Sequence, residues 1–279
     1  MIFMEKLRAR WREGRTLLCI GLDPELERLP STVREGREAE AALVAFNSAI
    51  VDATADLACA FKPNAAFYEA RGPAGLRALV RTITHIHERY PEVPVLLDAK
   101  RGDIGYTSAA YAHAAFDVCG ADAITLQPYL GREALEPFLE RADRGCFMLC
   151  RTSNPGSGEL QGLRVGEAGE PLYLALARRV AVEWNARGNC GLVAGATYPD
   201  ELHQVRMAVG DLPILVPGVG AQGGEVEATV RAGLDDHREG LLISASRSIL
   251  YASAGQDFAA AARREAVQLR DTIERLRTG

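Results

Sequence analysis

The hexapeptide Asp98-Ala99-Lys100-Arg101-Gly102-Asp103 closes the apolar run Val93-Pro94-Val95-Leu96-Leu97 and sets two carboxylates around one ammonium where a buried strand should meet solvent. Side chains alternate faces along a strand, so Asp98 and Lys100 are expected to point the same way. Asp103 lies past the strand in a glycine-bearing turn, from which it can swing back or reach a neighbouring chain. Such a cluster is costly to bury unless every member is paired. The plainer alternative is a salt-bridged strand end with Asp103 capping a helix that begins near Ile104.

Proton transfer is the chemistry these residues offer. The five histidines, His85, His87, His113, His203 and His237, fall in helical or loop patterns away from strand ends. Their placement weighs against a serine-type triad and against histidine metal sites, and leaves lysine as the proton carrier. A second lysine, Lys62, ends another short apolar run in Phe61-Lys62-Pro63-Asn64, and Asp23 follows a third in Gly21-Leu22-Asp23-Pro24. Each has a structural alternative: a lysine stem can snorkel over apolar surface, and Asp before Pro can simply start a turn.

Eight short β-rich runs position these residues: 16–21, 59–62, 93–98, 123–127, 146–151, 191–195, 213–217 and 240–244. Between them, stretches such as 38–56, 75–90, 107–119, 172–187 and 257–277 carry apolar residues at three and four spacing with charges between, the mark of covering helices. Eight alternating units in about 250 residues predict a closed (β/α)8 TIM barrel, a single domain over residues 1–279. On that fold the residues following the strands share the carboxyl-end face, where barrel active sites are built.

The run Pro217-Gly218-Val219-Gly220-Ala221-Gln222-Gly223-Gly224 then follows the seventh strand, and Ser246-Arg247-Ser248 the eighth. This is the barrel position for a phosphate: glycines admit backbone amides to an anion, and arginine adds a planar donor fork. Residues 154–170, long and glycine-rich, are expected to form a mobile lid.

Bulk properties fit a soluble enzyme of small molecules. The 279 residues are 48% hydrophobic and 25% charged with a net charge of -5, and the basic residues are scattered rather than striped, so no nucleic-acid surface is expected. The six cysteines sit mostly in apolar runs without zinc spacing, as reduced core residues. No run of 18 apolar residues occurs and residues 1–15 lack an apolar signal core, so no membrane association and a cytoplasmic location are expected.

These motifs together resemble the orotidine 5'-phosphate decarboxylase family, over nearly the whole chain: the run Asp98 to Gly105, Lys62-Pro63-Asn64, Thr152-Ser153-Asn154-Pro155-Gly156-Ser157 and Pro217-Gly218-Val219-Gly220-Ala221-Gln222-Gly223. The resemblance implies a nucleotide substrate, no cofactor and no metal. It makes Lys100 the proton donor to C6 of the pyrimidine, with Asp98 beside the departing carboxylate, and gives the ribose hydroxyls to Lys62 and Asp23. Asp103 and Thr107 are implied to cross a homodimer interface into the partner's site, with Ile104 lining the pyrimidine pocket. Ser153 is implied to contact the pyrimidine from the lid base, and Gln222 and Arg247 to bind phosphate with the loop glycines Gly220 and Gly223. Two other readings stay open. Metal-dependent sugar-phosphate decarboxylases and aldolase-like siblings share the Asp-x-Lys-x-x-Asp run, although a lysine at position 62 would repel their magnesium. A non-catalytic nucleotide-binding barrel would keep only the phosphate site.

Overall fold

The computed structural model describes residues 1–219 and 223–279. Eight parallel strands form one sheet: β1 (Leu18–Leu22), β2 (Ala60–Pro63), β3 (Leu96–Arg101), β4 (Ala123–Leu126), β5 (Gly145–Arg151), β6 (Cys190–Ala194), β7 (Ile214–Pro217) and β8 (Leu241–Ala245). Their spatial order is β2-β1-β8-β7-β6-β5-β4-β3. Parallel bridges Phe61↔Val95 and Asn64↔Asp98 join β2 to β3, so the sheet closes into the expected TIM barrel. The strands read as unbroken apolar runs because both faces are covered, by interior side chains on one side and helices on the other.

The outer ring follows the expected amphipathic stretches. Helix α1 (Phe3–Arg12) precedes the barrel, and α2 (Ala39–Thr54), α3 (Gly72–Arg89), α4 (Gly105–His113), α5 (Arg132–Leu139), α6 (Leu172–Arg179), α7 (Pro199–Val209), α8 (Gly223–Gly233) and α9 (Phe258–Thr278) surround it. In α3 the buried Ala78, Leu79, Thr82, Ile83 and Ile86 repeat at three and four spacing. The helical patterns at 107–119 and 172–187 each resolve into an α-helix ending in a π-turn, Ala114–Val118 and Val180–Trp184. None of the described helices is long and apolar enough to cross a membrane.

Helix α1 is a further element, closing the amino-terminal mouth. It buries Phe3, Met4, Leu7 and Trp11. Its polar side chains bind residues just before the strands: Lys6 to Asp122 at 3.1 Å, Arg10 to the Ala58 carbonyl at 2.8 Å and Arg12 to Glu239 at 3.1 Å. With that end plugged, the carboxyl-end mouth is left for chemistry. Five of the six cysteines are buried as expected, Cys119 is half-buried, and all six are free.

Candidate active site

The Asp98–Lys100 pair comes together through a bulge rather than through simple alternation. Strand β3 pairs with β4 at Leu97↔Ile124 and again at Arg101↔Leu126, so Asp98, Ala99 and Lys100 stand against the single residue Thr125. Lys100 takes φ +49°, the left-handed region, where a side chain costs roughly 1–2 kcal/mol. Gly102 makes the next step possible. A Cβ there would lie 2.5 Å from the Gln127 carbonyl oxygen, so only glycine lets the chain leave β3 this close to β4.

The bulge gathers four polar groups. Lys62 Nζ, from the end of β2, donates to Asp98 Oδ2 at 3.1 Å, and Lys100 Nζ donates to Asp98 Oδ1 at 2.6 Å. The Thr125 hydroxyl also donates to Oδ1, at 2.8 Å. Burial pushes the Asp98 carboxyl up, but the two ammonium groups and the hydrogen bonds outweigh it and bring it down to about 2. Burial likewise pulls Lys62 down, yet Asp23 and Asp98 on either side of it leave its net shift upward. Both lysines therefore face a fixed anion.

Lysine usage is a further signal in the sequence. Only three of the 32 basic residues are lysine, Lys6, Lys62 and Lys100, and the other 29 are arginine. Arginine supplies nearly every other ion pair, whereas two of the three ammonium groups meet at this mouth. An ammonium is compact and can release a proton; a guanidinium cannot in this pH range.

Asp23 sits on the other side of Lys62. Its Oδ1 accepts the Asn64 backbone N–H at 3.2 Å, and its Oδ2 accepts the Ser246 hydroxyl at 2.8 Å. Gly21 admits Ser246, whose Cβ lies 2.7 Å from where a Cβ on residue 21 would stand. Asp23 is thus more than a turn former: it ties β1, β2 and β8 together at one mouth.

Asp103 stands just before Ile104, the residue at the N-cap position of the next helix, and its Oδ1 accepts the Ile104 backbone N–H at 2.8 Å rather than an N–H of the helix's first turn, so the expected cap is not formed; it has no ion pair among the described residues. Ile104 is 61% and Tyr106 97% exposed, and Thr107 is exposed beside them. Neither Asp103 nor Ile104 joins the Lys62–Asp98–Lys100 array of its own chain.

Residues 154–170 are folded rather than open loop: a turn of 3-10 helix (Pro155–Ser157), a short helix (Gly158–Gln161) and a two-stranded ribbon, Arg164–Val165 against Glu170–Pro171. Their base is held by Arg151, the buried last residue of β5, which binds Ser157 and Glu201 and stacks on Tyr198 with 4.2 Å to the ring centre. Gln161 accepts the Thr152 N–H at 2.9 Å. Ser153 follows, packed where Gly195 lacks a side chain.

On the phosphate side, Gly218 has φ +86°, Gly223 opens α8, and Arg247 is exposed at the start of the short helix Arg247–Leu250. Arg247 makes no ion pair among the described residues. The expected ligands Gly220 and Gln222 lie outside the described residues. No group of three or more His, Cys, Asp or Glu side chains that could hold a metal occurs among the described residues.

Closed parallel barrel, plugged amino end and a lysine–carboxylate array at the carboxyl-end mouth define a TIM-barrel enzyme. A model of the orotidine 5'-phosphate decarboxylase / HUMPS family matches residues 16–264, and the chain belongs to that family. A protein of Aromatoleum aromaticum named orotidine 5'-phosphate decarboxylase is 55% identical over 278 residues, 99% of this chain and 100% of its own. One of the same name from Thermomicrobium roseum is 57% identical over 278 residues, 99% and 96% of the two chains. The solved OMP decarboxylase of Leishmania donovani matches with a TM-score of 0.85 at 40% identity, each chain covered in full.

Proposed function

We propose that this enzyme converts orotidine 5'-phosphate to uridine 5'-phosphate and carbon dioxide, a step of pyrimidine nucleotide synthesis, without a cofactor and with Lys100 as the proton donor. The bond from C6 to the carboxylate breaks heterolytically. Carbon dioxide leaves, the electron pair stays on C6, and an Nζ proton of Lys100 moves to it. That pair cannot delocalise into the ring π system, so a fixed ammonium stabilises it before giving up its proton. Asp98 keeps Lys100 charged and oriented, and its own charge also repels the substrate carboxylate.

The observation that carries this reading is the unequal setting of the two lysines on Asp98. The Lys62 side chain is 5% exposed and that of Lys100 49% exposed. A donor must be recharged from water after each turnover, and only Lys100 has access to it. Lys62, enclosed between Asp23 and Asp98, suits a hydroxyl-binding role at the ribose, together with Asp23.

The remaining roles are those the family resemblance implies. Ser153 at the lid base faces the pyrimidine, and Gln222, Arg247 and the glycines Gly220 and Gly223 hold the phosphate. Phosphate binding far from the reacting carbon serves to close residues 154–170 and to support desolvation of the ring. Asp103, Ile104 and Thr107 serve the partner's site in a homodimer. An acid without a cation partner among the described residues, beside exposed Ile104 and Tyr106, supports this assignment. The six free cysteines and an anionic nucleotide substrate accord with a cytoplasmic enzyme.

The test is loss of orotidine 5'-phosphate absorbance with purified protein, with and without EDTA. Turnover that persists in EDTA is expected. Loss that magnesium restores would establish the metal-dependent alternative, and binding without turnover the non-catalytic one. Orotidine, which lacks the phosphate, should show a kcat/KM lower by far more than one hydrogen bond explains.

A further inference from the structure

Thr125 lies in the middle of β4 at 1% exposure, between Ile124 and Leu126. A hydroxyl at such depth needs partners, and both of its partners belong to the catalytic array. It donates to Asp98 Oδ1 at 2.8 Å and accepts the Lys100 backbone N–H at 3.0 Å. Lys100 Nζ reaches the same Oδ1 at 2.6 Å. These three contacts close a ring that runs from the Lys100 backbone through the Thr125 hydroxyl and the Asp98 carboxylate to the Lys100 ammonium.

The ring sits on the one irregularity in the β3–β4 pairing. Three residues of β3 stand opposite Thr125 alone, so the backbone there lacks an ordinary ladder partner, and Lys100 holds φ +49°. A lysine does not choose that region unless its surroundings over-determine it. Among the described residues, the hydrogen bond that pins its N–H is the one to Thr125. Glycine would accept the same backbone at less strain but would bring no ammonium.

We propose that Thr125 is a positioning residue for decarboxylation: its hydroxyl holds the Lys100 backbone in the left-handed region and so fixes the ammonium against Asp98. The proposal rests on Lys100 as the proton donor. The partners of the Thr125 hydroxyl are Asp98 and Lys100, so its removal acts on proton delivery rather than on binding. Valine has the shape of threonine without the hydroxyl. In Thr125→Val the Lys100 N–H and one contact of Asp98 Oδ1 are lost, the backbone is free to relax toward negative φ, and the Cα–Cβ bond that aims the side chain turns with it. Small misplacements of a reacting group are known to cost large factors in rate.

The experiment compares wild type, Thr125→Val and Thr125→Ser for kcat on orotidine 5'-phosphate, for calorimetric binding of uridine 5'-phosphate, and for thermal melting. Thr125→Val is expected to lower kcat by about 30-fold or more, on the scale of lost orientation, with the nucleotide Kd changed less than about threefold. Thr125→Ser, which keeps the hydroxyl, is expected to stay within about threefold of wild-type kcat. Wild-type kcat in Thr125→Val overturns the proposal. So does a Thr125→Ser loss as large as that of valine, or a fall in kcat matched by an equal loss of nucleotide binding. If the valine variant does not fold, Thr125→Ala is read on the same criteria. Absence of wild-type turnover, or full turnover by Lys100→Ala, would instead remove the decarboxylase or proton-donor reading on which this one stands.

Discussion

Lys62 and Lys100 hold opposite oxygens of one carboxylate, at 3.1 and 2.6 Å from Asp98 Oδ2 and Oδ1. One ammonium is enclosed and the other opens to solvent, so a single anion organises two cations with different access to water. The array is stable only while all three are charged, since a buried charge left unpaired is far costlier than the pair is favourable.

Acid should therefore weaken the fold through Asp98. Its folded value is depressed from 3.8 to about 2, so the stability it contributes is present above the ordinary carboxylate value and is lost as pH falls through about 2. Linkage puts this at roughly 2 kcal/mol. Urea unfolding of wild type between pH 5 and 2.5 should show this loss, and the slope should be shallower in Asp98→Asn. Lys62 is raised above 10.5, so its contribution is fully present below that value and is lost only above it. An acid slope unchanged by Asp98→Asn would contradict this account.

Amine labelling should single out Lys100. The chain has three lysines, and Lys6 and Lys62 are held in ion pairs with side chains 15% and 5% exposed, against 49% for Lys100. Brief treatment with an acylating reagent, read by peptide mass spectrometry, should modify the amino terminus and Lys100 first and abolish turnover in step with Lys100. Uridine 5'-phosphate should protect it. Labelling of Lys62 at an equal rate would mean that the mouth is far more open than its geometry.

Much of this site was legible because TIM-barrel chemistry collects at strand ends, and strand ends can be read from where apolar runs stop. Asp23, Lys62, Asp98 and Lys100 all lie at such stops. The bulge was not legible. Alternation brings Asp98 and Lys100 to one face on paper, whereas the real pairing depends on register against β4, a contact some 25 residues away. Thr125 sits inside an apolar strand, where nothing in the sequence pattern sets it apart from core. Helix α1 was hidden for the opposite reason: Lys6, Arg10 and Arg12 find partners beneath the barrel, so charges that read as solvent-facing are part of its docking. The scarcity of lysine was in plain view and pointed at two of the site residues.

Arg151 makes the folded state of residues 154–170 testable. Its planar group meets Glu201 along one edge and Ser157 along another, so it ties the first turn of that segment to α7. Ser157→Ala removes the shorter of Arg151's two contacts on the segment side and leaves the one to Gln161 Oε1, at 3.5 Å, and the Glu201 pair in place. Tryptic cleavage after the exposed Arg164 should accelerate about five- to tenfold, with little change in melting temperature, as expected for a local opening. Uridine 5'-phosphate should restore part of the protection. Unchanged cleavage would show that Arg151 does not hold the segment.

The last prediction separates the two halves of the acid–lysine–acid run. Lys100 joins Asp98 within its own chain, whereas Asp103 precedes α4 beside exposed Ile104 and has no cation among the described residues. If Asp103 serves the partner's site, Lys100→Ala and Asp103→Ala should each be nearly inactive alone. In a mixed dimer, the site built on the intact Lys100 of one subunit receives the intact Asp103 of the other. Two-fold exchange of identical patches then predicts that mixing the two variants after subunit exchange restores about a quarter of wild-type activity. Sedimentation should show dimers throughout. If mixing restores nothing while exchange is verified, Asp103 acts within its own chain, and the spacing from Asp98 to Asp103 describes one site rather than two halves.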